Sequence, residues 1–201
     1  MTKMLPLIAL ISLAALGSAH AAGDAAAGKT KSASCAACHG PDGNSPTPAF
    51  PKIAGQHEAY LYKQLMEYKS GERVNATMNG MAAPLSEQDM ADLAAYFASQ
   101  TPTIGTADPA QVELGETIYR FGNQVTGVAA CAACHGPAGV GNPMANFPLL
   151  QGQHADYTVL QLNHFRAGER ANDAGAMMRG VAAKMTDAEI QAVAQYIQGL
   201  N

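Results

Sequence analysis

The chain of 201 residues is long enough for one or two domains, because domains commonly run to about 100–150 residues. It contains only five Phe, seven Tyr and no Trp, a thin supply of large side chains for a conventional core. The net charge is −4 and no basic stripe is present, which argues against nucleic acid as a partner.

Residues 1–21 have the pattern of a secretory signal peptide. Lys3 supplies a positive start, an apolar run follows from Leu5 to Leu16, and Ala19-His20-Ala21 forms a small-residue cleavage site. The alternative is an uncleaved anchor, but the run is shorter than the roughly 20 residues that a membrane span needs. We therefore expect a chain that is exported to the periplasm and starts near Ala22.

One motif occurs twice in the remaining sequence, at Cys35–His39 and at Cys131–His135. Both copies read Cys-Ala-Ala-Cys-His, and together they hold all four cysteines of the chain. C-x-x-C-H indicates c-type haem attachment, because two thiols one helical turn apart add to the vinyl groups of one porphyrin and the histidine becomes the proximal iron ligand. We predict two covalently bound haem c groups, with Cys35, Cys38, Cys131 and Cys134 as thioether residues and His39 and His135 as axial ligands.

Two other uses of paired cysteines fit less well. A zinc ribbon usually places its two C-x-x-C pairs about 15–20 residues apart, whereas more than ninety residues separate the pairs here. A thioredoxin-like dithiol lies near a βαβ pattern, and no strand-like run surrounds either copy. A single C-x-x-C-H can arise by chance, but two copies on an exported chain, each followed by a methionine, favour haem.

The repetition extends beyond the motif and indicates a duplicated domain. Phe-Pro, Gly-Gln-His and Gly-Glu-Arg segments recur in the same order at an offset of 97 residues, and the offset ranges from 96 to 100 over the whole repeat. Each half is small for an independent core, so a buried haem would supply the large apolar body that the composition lacks. Proline and glycine interrupt the pattern around residue 105. The predicted boundaries are 1–21 for the signal peptide, 22–100 for the N-terminal domain, 101–109 for the linker and 110–201 for the C-terminal domain.

Helices account for each half of the repeat, so the predicted fold class is all-α. Asp24 can cap a first helix, and second helices are expected over residues 58–69 and 155–166. The last helices start at capping-box-like pairs, Ser86 with Asp89 and Thr186 with Glu189. Apolar residues behind these pairs recur at i, i+3, i+4 and i+7: Met90, Leu93, Ala94 and Phe97, and Ile190, Val193, Ala194 and Ile197.

A carrier of electrons needs a sixth iron ligand, for which methionine and histidine are the usual choices. Met78 and Met178 occupy the same place in a repeated Met-x-Gly-x-Ala-Ala segment. We predict both as the distal axial ligands. Other methionines near this segment have no methionine opposite them in the other half: Met81, Met177 and Met185.

Several further residues are repeated and have two interpretations each. Carbonyls at Pro51 and Pro148 could accept a hydrogen bond from the proximal histidines, or both could be ordinary loop prolines. Arg73 and Arg170 could pair with haem propionates, or remain solvated. His57 and His154 are expected at a surface or interface rather than at iron. The repeated Tyr60 with Tyr157 and Gln64 with Gln161 suggest contacts with a haem edge or between domains, which the sequence does not separate.

Both halves resemble class I cytochrome c domains in the order of helix, C-x-x-C-H, proline, methionine and final helix. The tandem arrangement from Ala22 onwards is similar to the dihaem cytochrome c4 family. That resemblance implies two His/Met haems in domains related by a pseudo-twofold axis, with propionates meeting at the interface. One departure is the segment Asn75–Met78, which is three residues shorter than Asn172–Met178.

The resemblance implies a periplasmic electron carrier, sometimes membrane-associated, rather than an enzyme. It implies a quinol–cytochrome c reductase type of donor and a respiratory terminal oxidase as acceptor. Two alternatives are the cytochrome subunit of a flavocytochrome c sulfide dehydrogenase and a dihaem peroxidase, which would need an open iron site and acid–base groups beside it. Residues 22–107 sum to −2 and residues 108–201 to −3, so charge does not indicate which haem receives electrons.

Overall fold

A computed structural model describes residues 22–201, so the predicted signal peptide lies outside the described residues. Within that range the chain is helical, and extended pairing is limited to the isolated bridges Asn123–Val128 and Asn142–Phe147. The all-α prediction is confirmed. None of the helices in this range is long and apolar enough to cross a membrane.

The same order of helices occurs twice along the chain. In the first half, five helices are α1 (Ala25–Lys31), α2 (Ala33–His39), α3 (Glu58–Ser70), α4 (Ala76–Ala82) and α5 (Glu87–Ala98). In the second half, five are α6 (Pro109–Phe121), α7 (Ala132–His135), α8 (Ala155–Ala167), α9 (Met177–Ala182) and α10 (Asp187–Gly199). Short 3₁₀ turns at Pro143–Ala145 and Ala174–Ala176 occur only in the second half of the described chain.

The helix ends follow the local signals of the sequence. The Asp24 carboxylate accepts hydrogen bonds from the backbone N–H groups of Ala26 and Ala27, which caps α1. Both predicted capping boxes are formed, at the starts of α5 and α10. Helices α3 and α8 end at Gly71 and Gly168, which adopt the left-handed conformation that glycine tolerates best.

In each half the first helix crosses the last at a glycine. A Cβ atom on Gly28 of α1 would lie 2.0 Å from the carbonyl oxygen of Asp92 in α5. A Cβ on Gly115 of α6 would lie 2.2 Å from the carbonyl oxygen of Ala192 in α10. Only a residue without a side chain permits this approach.

Each half has an apolar core beside its crossing, and among the described residues the first helix contributes to it only in the second half. The second-half core centres on the fully buried Tyr119, Ile190 and Val193. The first-half core is smaller and consists of buried residues from α3 and α5: Leu61, Leu93, Ala94, Tyr96 and Phe97.

Replacing the crossing glycines should destabilise the protein. We expect Gly28→Ala and Gly115→Ala to cost about 1–3 kcal/mol each through overpacking, which lowers the Tm by roughly 2–4 °C for each kcal/mol. The matched control is Gly80→Ala in α4, where the added Cβ would meet no described atom within 4 Å beyond its chain neighbours and the backbone of its own helix. Thermal unfolding followed by circular dichroism measures the difference, and equal Tm values for all three variants would contradict the crossing as described.

Candidate functional site

The histidine of each motif is buried and hydrogen-bonded to a proline carbonyl. Nδ1 of His39 lies 2.9 Å from the carbonyl oxygen of Pro51, and Nδ1 of His135 lies 2.9 Å from that of Pro148. A carbonyl only accepts, so each Nδ1 carries the proton and Nε2 keeps a free lone pair. Among residues 22–201, no hydrogen bond engages Nε2 of either ring. Burial lowers the pKa of both rings, which favours the neutral imidazole that binds metals.

Cys35 and Cys38 lie in α2 with His39, Cys134 lies in α7 with His135, and Cys131 is the N-cap of α7. All four thiols are free. Burial raises the pKa of Cys35, and it raises that of Cys131 to about 11. Each half therefore presents two thiols and one imidazole nitrogen along one short segment. That donor set fits one covalently attached haem per half.

The two motifs line a single continuous cavity of about 520 Å³ that crosses from one half to the other. Met78 enters its lining from α4 and Met178 from α9. The unrepeated methionines Met81, Met177 and Met185 also line the cavity, so the choice of Met78 and Met178 still rests on the sequence repeat. A largely apolar cavity with an imidazole on one side and a thioether sulfur available from another element fits a haem group.

The repeated arginines are buried between the halves rather than solvated, with 6% of Arg73 and 8% of Arg170 exposed. Arg73 donates to the hydroxyl of Tyr157 at 3.0 Å and to the amide oxygen of Gln161 at 2.9 Å. Arg170 makes the reciprocal contacts, to the hydroxyl of Tyr60 at 2.9 Å and the amide oxygen of Gln64 at 3.2 Å. The repeated Tyr and Gln residues therefore form interdomain contacts with pseudo-twofold symmetry.

Both arginines also line the cavity. Among the described residues one carboxylate joins their cluster, that of Glu67, which is hydrogen-bonded to Gln64 and Asn172 and paired with Lys63. Burial alone would raise the pKa of Tyr60, but the charges of Arg170 and Arg73 reverse this and lower it. The cluster holds more positive than negative charge, so it is suited to carboxylate groups of a bound ligand.

A second reciprocal contact joins the loops that follow the prolines. The side chain of Gln56 donates to the carbonyl of Leu149 and accepts from its N–H, both at 2.9 Å. Gln153 makes the same pair of bonds with the backbone of Lys52, at 2.8 and 2.9 Å. Both glutamines belong to the repeated Gly-Gln-His segment. The repeat therefore marked these positions, but it did not predict that they join the two halves.

The repeated histidines of that segment differ in their surroundings. Nε2 of His154 lies 2.9 Å from the carbonyl oxygen of Ser45 in the other half. Nε2 of His57 is buried without a hydrogen-bond partner among the described residues. His154 is thus an interface residue, and among the described residues neither His57 nor His154 is hydrogen-bonded to a motif histidine.

The family model described as Cytochrome c matches the chain twice, over residues 25–101 and 115–201. Cytochrome c4 of Azotobacter vinelandii is 53% identical over 202 residues, covering 96% of each chain. The crystal structure of reduced recombinant cytochrome c4 from Pseudomonas stutzeri superposes with a TM-score of 0.87 at 53% identity, covering 90% of this chain and all of that one. A thiosulfate dehydrogenase electron acceptor of Thiomonas intermedia is 39% identical, covering 98% of this chain and 93% of its own.

The reciprocal glutamine contacts can be tested separately by hydrogen exchange. In Gln56→Leu the N–H of Leu149 loses its acceptor, and we expect its exchange to accelerate roughly tenfold. The N–H of Lys52, which donates to Gln153, should keep its protection and is the internal control. Gln153→Leu should reverse the pattern. An interface held by other forces would show no selective change at either amide.

Proposed function

Because the chain belongs to the cytochrome c4 family, we propose that it carries single electrons in the periplasm to a respiratory terminal oxidase. It is an electron-transfer protein rather than an enzyme, and it carries two covalently bound haem c groups. The observation that supports the proposal most directly is the matched pair of motif histidines, each held at Nδ1 by a proline carbonyl and each facing one shared cavity.

Residues of both motifs would attach and orient the cofactors. Each haem, when bound, supplies an iron that changes by one electron between its ferric and ferrous states. The four motif cysteines would form the thioether bonds, and His39 and His135 would be the proximal ligands. Met78 and Met178 would close the sixth positions, which prevents exogenous ligands from binding and raises the reduction potential.

The proline carbonyls would fix the ring planes of the proximal histidines and increase their basicity. Arg73 and Arg170 would pair with haem propionates where the two halves meet. Their burial and their hydrogen bonds to glutamines of both halves would restrain this region, so that little rearrangement would accompany a change of charge. The proposed division is an N-terminal domain over residues 22–100, a linker over 101–109 and a C-terminal domain over 110–201.

The proposed location in the periplasm rests on the signal-peptide pattern of residues 1–21, and the donor would be of the quinol–cytochrome c reductase type. A second donor is supported by one comparison. The similarity to a thiosulfate dehydrogenase electron acceptor over nearly the whole chain is the reason to consider a thiosulfate dehydrogenase as a source of electrons.

Replacing each distal methionine should affect one haem only. We expect Met78→Ala and Met178→Ala each to remove about half of the weak ferric absorption band in the red that reports methionine sulfur on iron, because two centres contribute to it. Each variant should also bind carbon monoxide at one ferrous haem per chain. The controls are Met81→Leu and Met177→Leu, which line the same cavity and should keep the full band. Loss of the band in a control variant would overturn the assignment.

The acceptor can be tested with the purified ferrous protein. Membranes containing a terminal oxidase should consume oxygen when this protein is the carrier added, at a rate that saturates with its concentration. A parallel assay measures reduction of the ferric protein by thiosulfate in the presence of a thiosulfate dehydrogenase. Reduction in the second assay without any oxidase turnover in the first would contradict the oxidase as acceptor.

A further inference from the structure

We propose that Asn79 in the first half, and Asp173 with Arg179 in the second, are positioning residues that hold Met78 and Met178 in place by two different means. The inference rests on the proposed function, because it assumes that these methionines close the sixth iron positions. The residue directly after the methionine is Asn79 in one half and Arg179 in the other. Asn79 attaches α4, the helix of Met78, to neighbouring backbone through neutral hydrogen bonds. Arg179 attaches α9, the helix of Met178, to Asp173 through an ion pair.

In the second half, the ion pair between Asp173 and Arg179 bridges the two ends of the segment that contains Met178. One oxygen of Asp173 accepts from Nε of Arg179 at 2.7 Å, and the other accepts from its backbone N–H at 2.9 Å. The Asp173 side chain is only 5% exposed, whereas that of Arg179 is 37% exposed. A carboxylate with both oxygens engaged on one residue fixes the loop ends next to Met178.

The loop closed by this ion pair contains unfavourable backbone geometry. Gly175 and Ala176 are consecutive residues with φ of +59° and +56°. Ala176 has a Cβ, so the left-handed conformation is strained there and persists only where the surroundings enforce it. The ion pair supplies that enforcement, and without it the loop leading into Met178 would relax.

The anchor in the first half is neutral. The side-chain amide of Asn79 donates to the carbonyls of Tyr68 at 2.5 Å and Arg73 at 2.9 Å, which attaches α4 to the end of α3. Its amide oxygen accepts from the N–H of Asn75 at 2.7 Å, and Asn75 in turn caps the N–H of Met78 at 3.0 Å. The shorter loop therefore needs no ion pair, because one amide side chain satisfies three backbone groups.

The test uses imidazole, which competes with methionine for ferric iron, and follows the red absorption band during titration. In Asp173→Ala the band of one haem should be lost at a roughly 10- to 100-fold lower imidazole concentration than in the parent protein, because bonds to a charged group are removed. Asn79→Ala should sensitise the other haem by a smaller factor. The double variant should lose the whole band at low concentration.

A graded series separates positioning from general destabilisation. Arg179→Lys keeps a positive charge opposite Asp173 and should be less sensitive to imidazole than Arg179→Gln. Asp173→Asn is the milder replacement if Asp173→Ala does not accumulate with both haems. The matched control is Asp187→Asn, which removes an ion pair with Arg166 in the same half at 2.6 Å and does not line the cavity. Its titration should match that of the parent.

The outcomes distinguish this inference from the proposed function. If the parent protein lacks the red band at one haem, the methionine assignment itself fails. If the parent shows the full band and the variants at positions 79, 173 and 179 titrate as the parent does, the assignment stands and the positioning role is wrong. If the control variant is sensitised as strongly as Asp173→Ala, the effect is a general loss of stability and the positioning role is also wrong.

Discussion

The fixed orientation of the two motif histidines is the constraint on which the rest of the structure depends. Each ring is tied at Nδ1 to a proline carbonyl twelve or thirteen residues further along the chain. This bond fixes the tautomer, so Nε2 of His39 and of His135 carries the free lone pair, and both residues line the cavity. The loop that carries the proline also carries the residue that pairs with a glutamine of the other half, Lys52 or Leu149. One short loop thus connects the ligand of each proposed haem to the domain interface.

The interface explains how two small halves form a stable protein. Burying Arg73 and Arg170 would be costly if their guanidinium groups were left without acceptors. The repeat provides acceptors for both, because each arginine binds one glutamine of its own half and one of the other half. Neither half could satisfy its arginine alone. The duplicated chain therefore gains a specific arrangement that a single copy of the domain would lack, and the same arrangement places positive charge beside the cavity.

Local features could be predicted from the sequence, whereas contacts between distant residues could not. The capping boxes at Ser86 and Thr186 are visible because their partners lie three residues away. The sequence could not decide whether Arg73 and Tyr157 contact a haem or the other domain, because donor and acceptor are 84 positions apart and no sequence pattern reports contacts at that separation. The Asp173–Arg179 pair could not be predicted from the repeat, because it occurs only in the second half. The assignment of iron ligands stays a prediction, carried by the motif and by the repeated methionine.

The differences between the halves could give the two haems, which have the same proposed ligands, different reduction potentials. With the same proposed ligands, any difference in reduction potential must come from the surroundings. One difference lies along α3, where Lys63 and Glu67 occupy the repeat positions that Leu160 and His164 occupy in α8. Lys63 donates to the carbonyl of Asn172, and Glu67 accepts from its amide.

The equivalent residue in the first half, Asn75, caps its own helix and is exposed. Asn172 is therefore held by both halves, whereas the hydrogen bonds of the Asn75 side chain and N–H stay within its own half. A change in α3 would reach the second methionine through Asn172. A change in α8 would reach the first through Arg73, which donates to Tyr157 and Gln161 and whose carbonyl accepts from Asn79. The pseudo-twofold symmetry of the fold is therefore broken at Asn75 and Asn172, in the loops that lead to the two proposed methionine ligands.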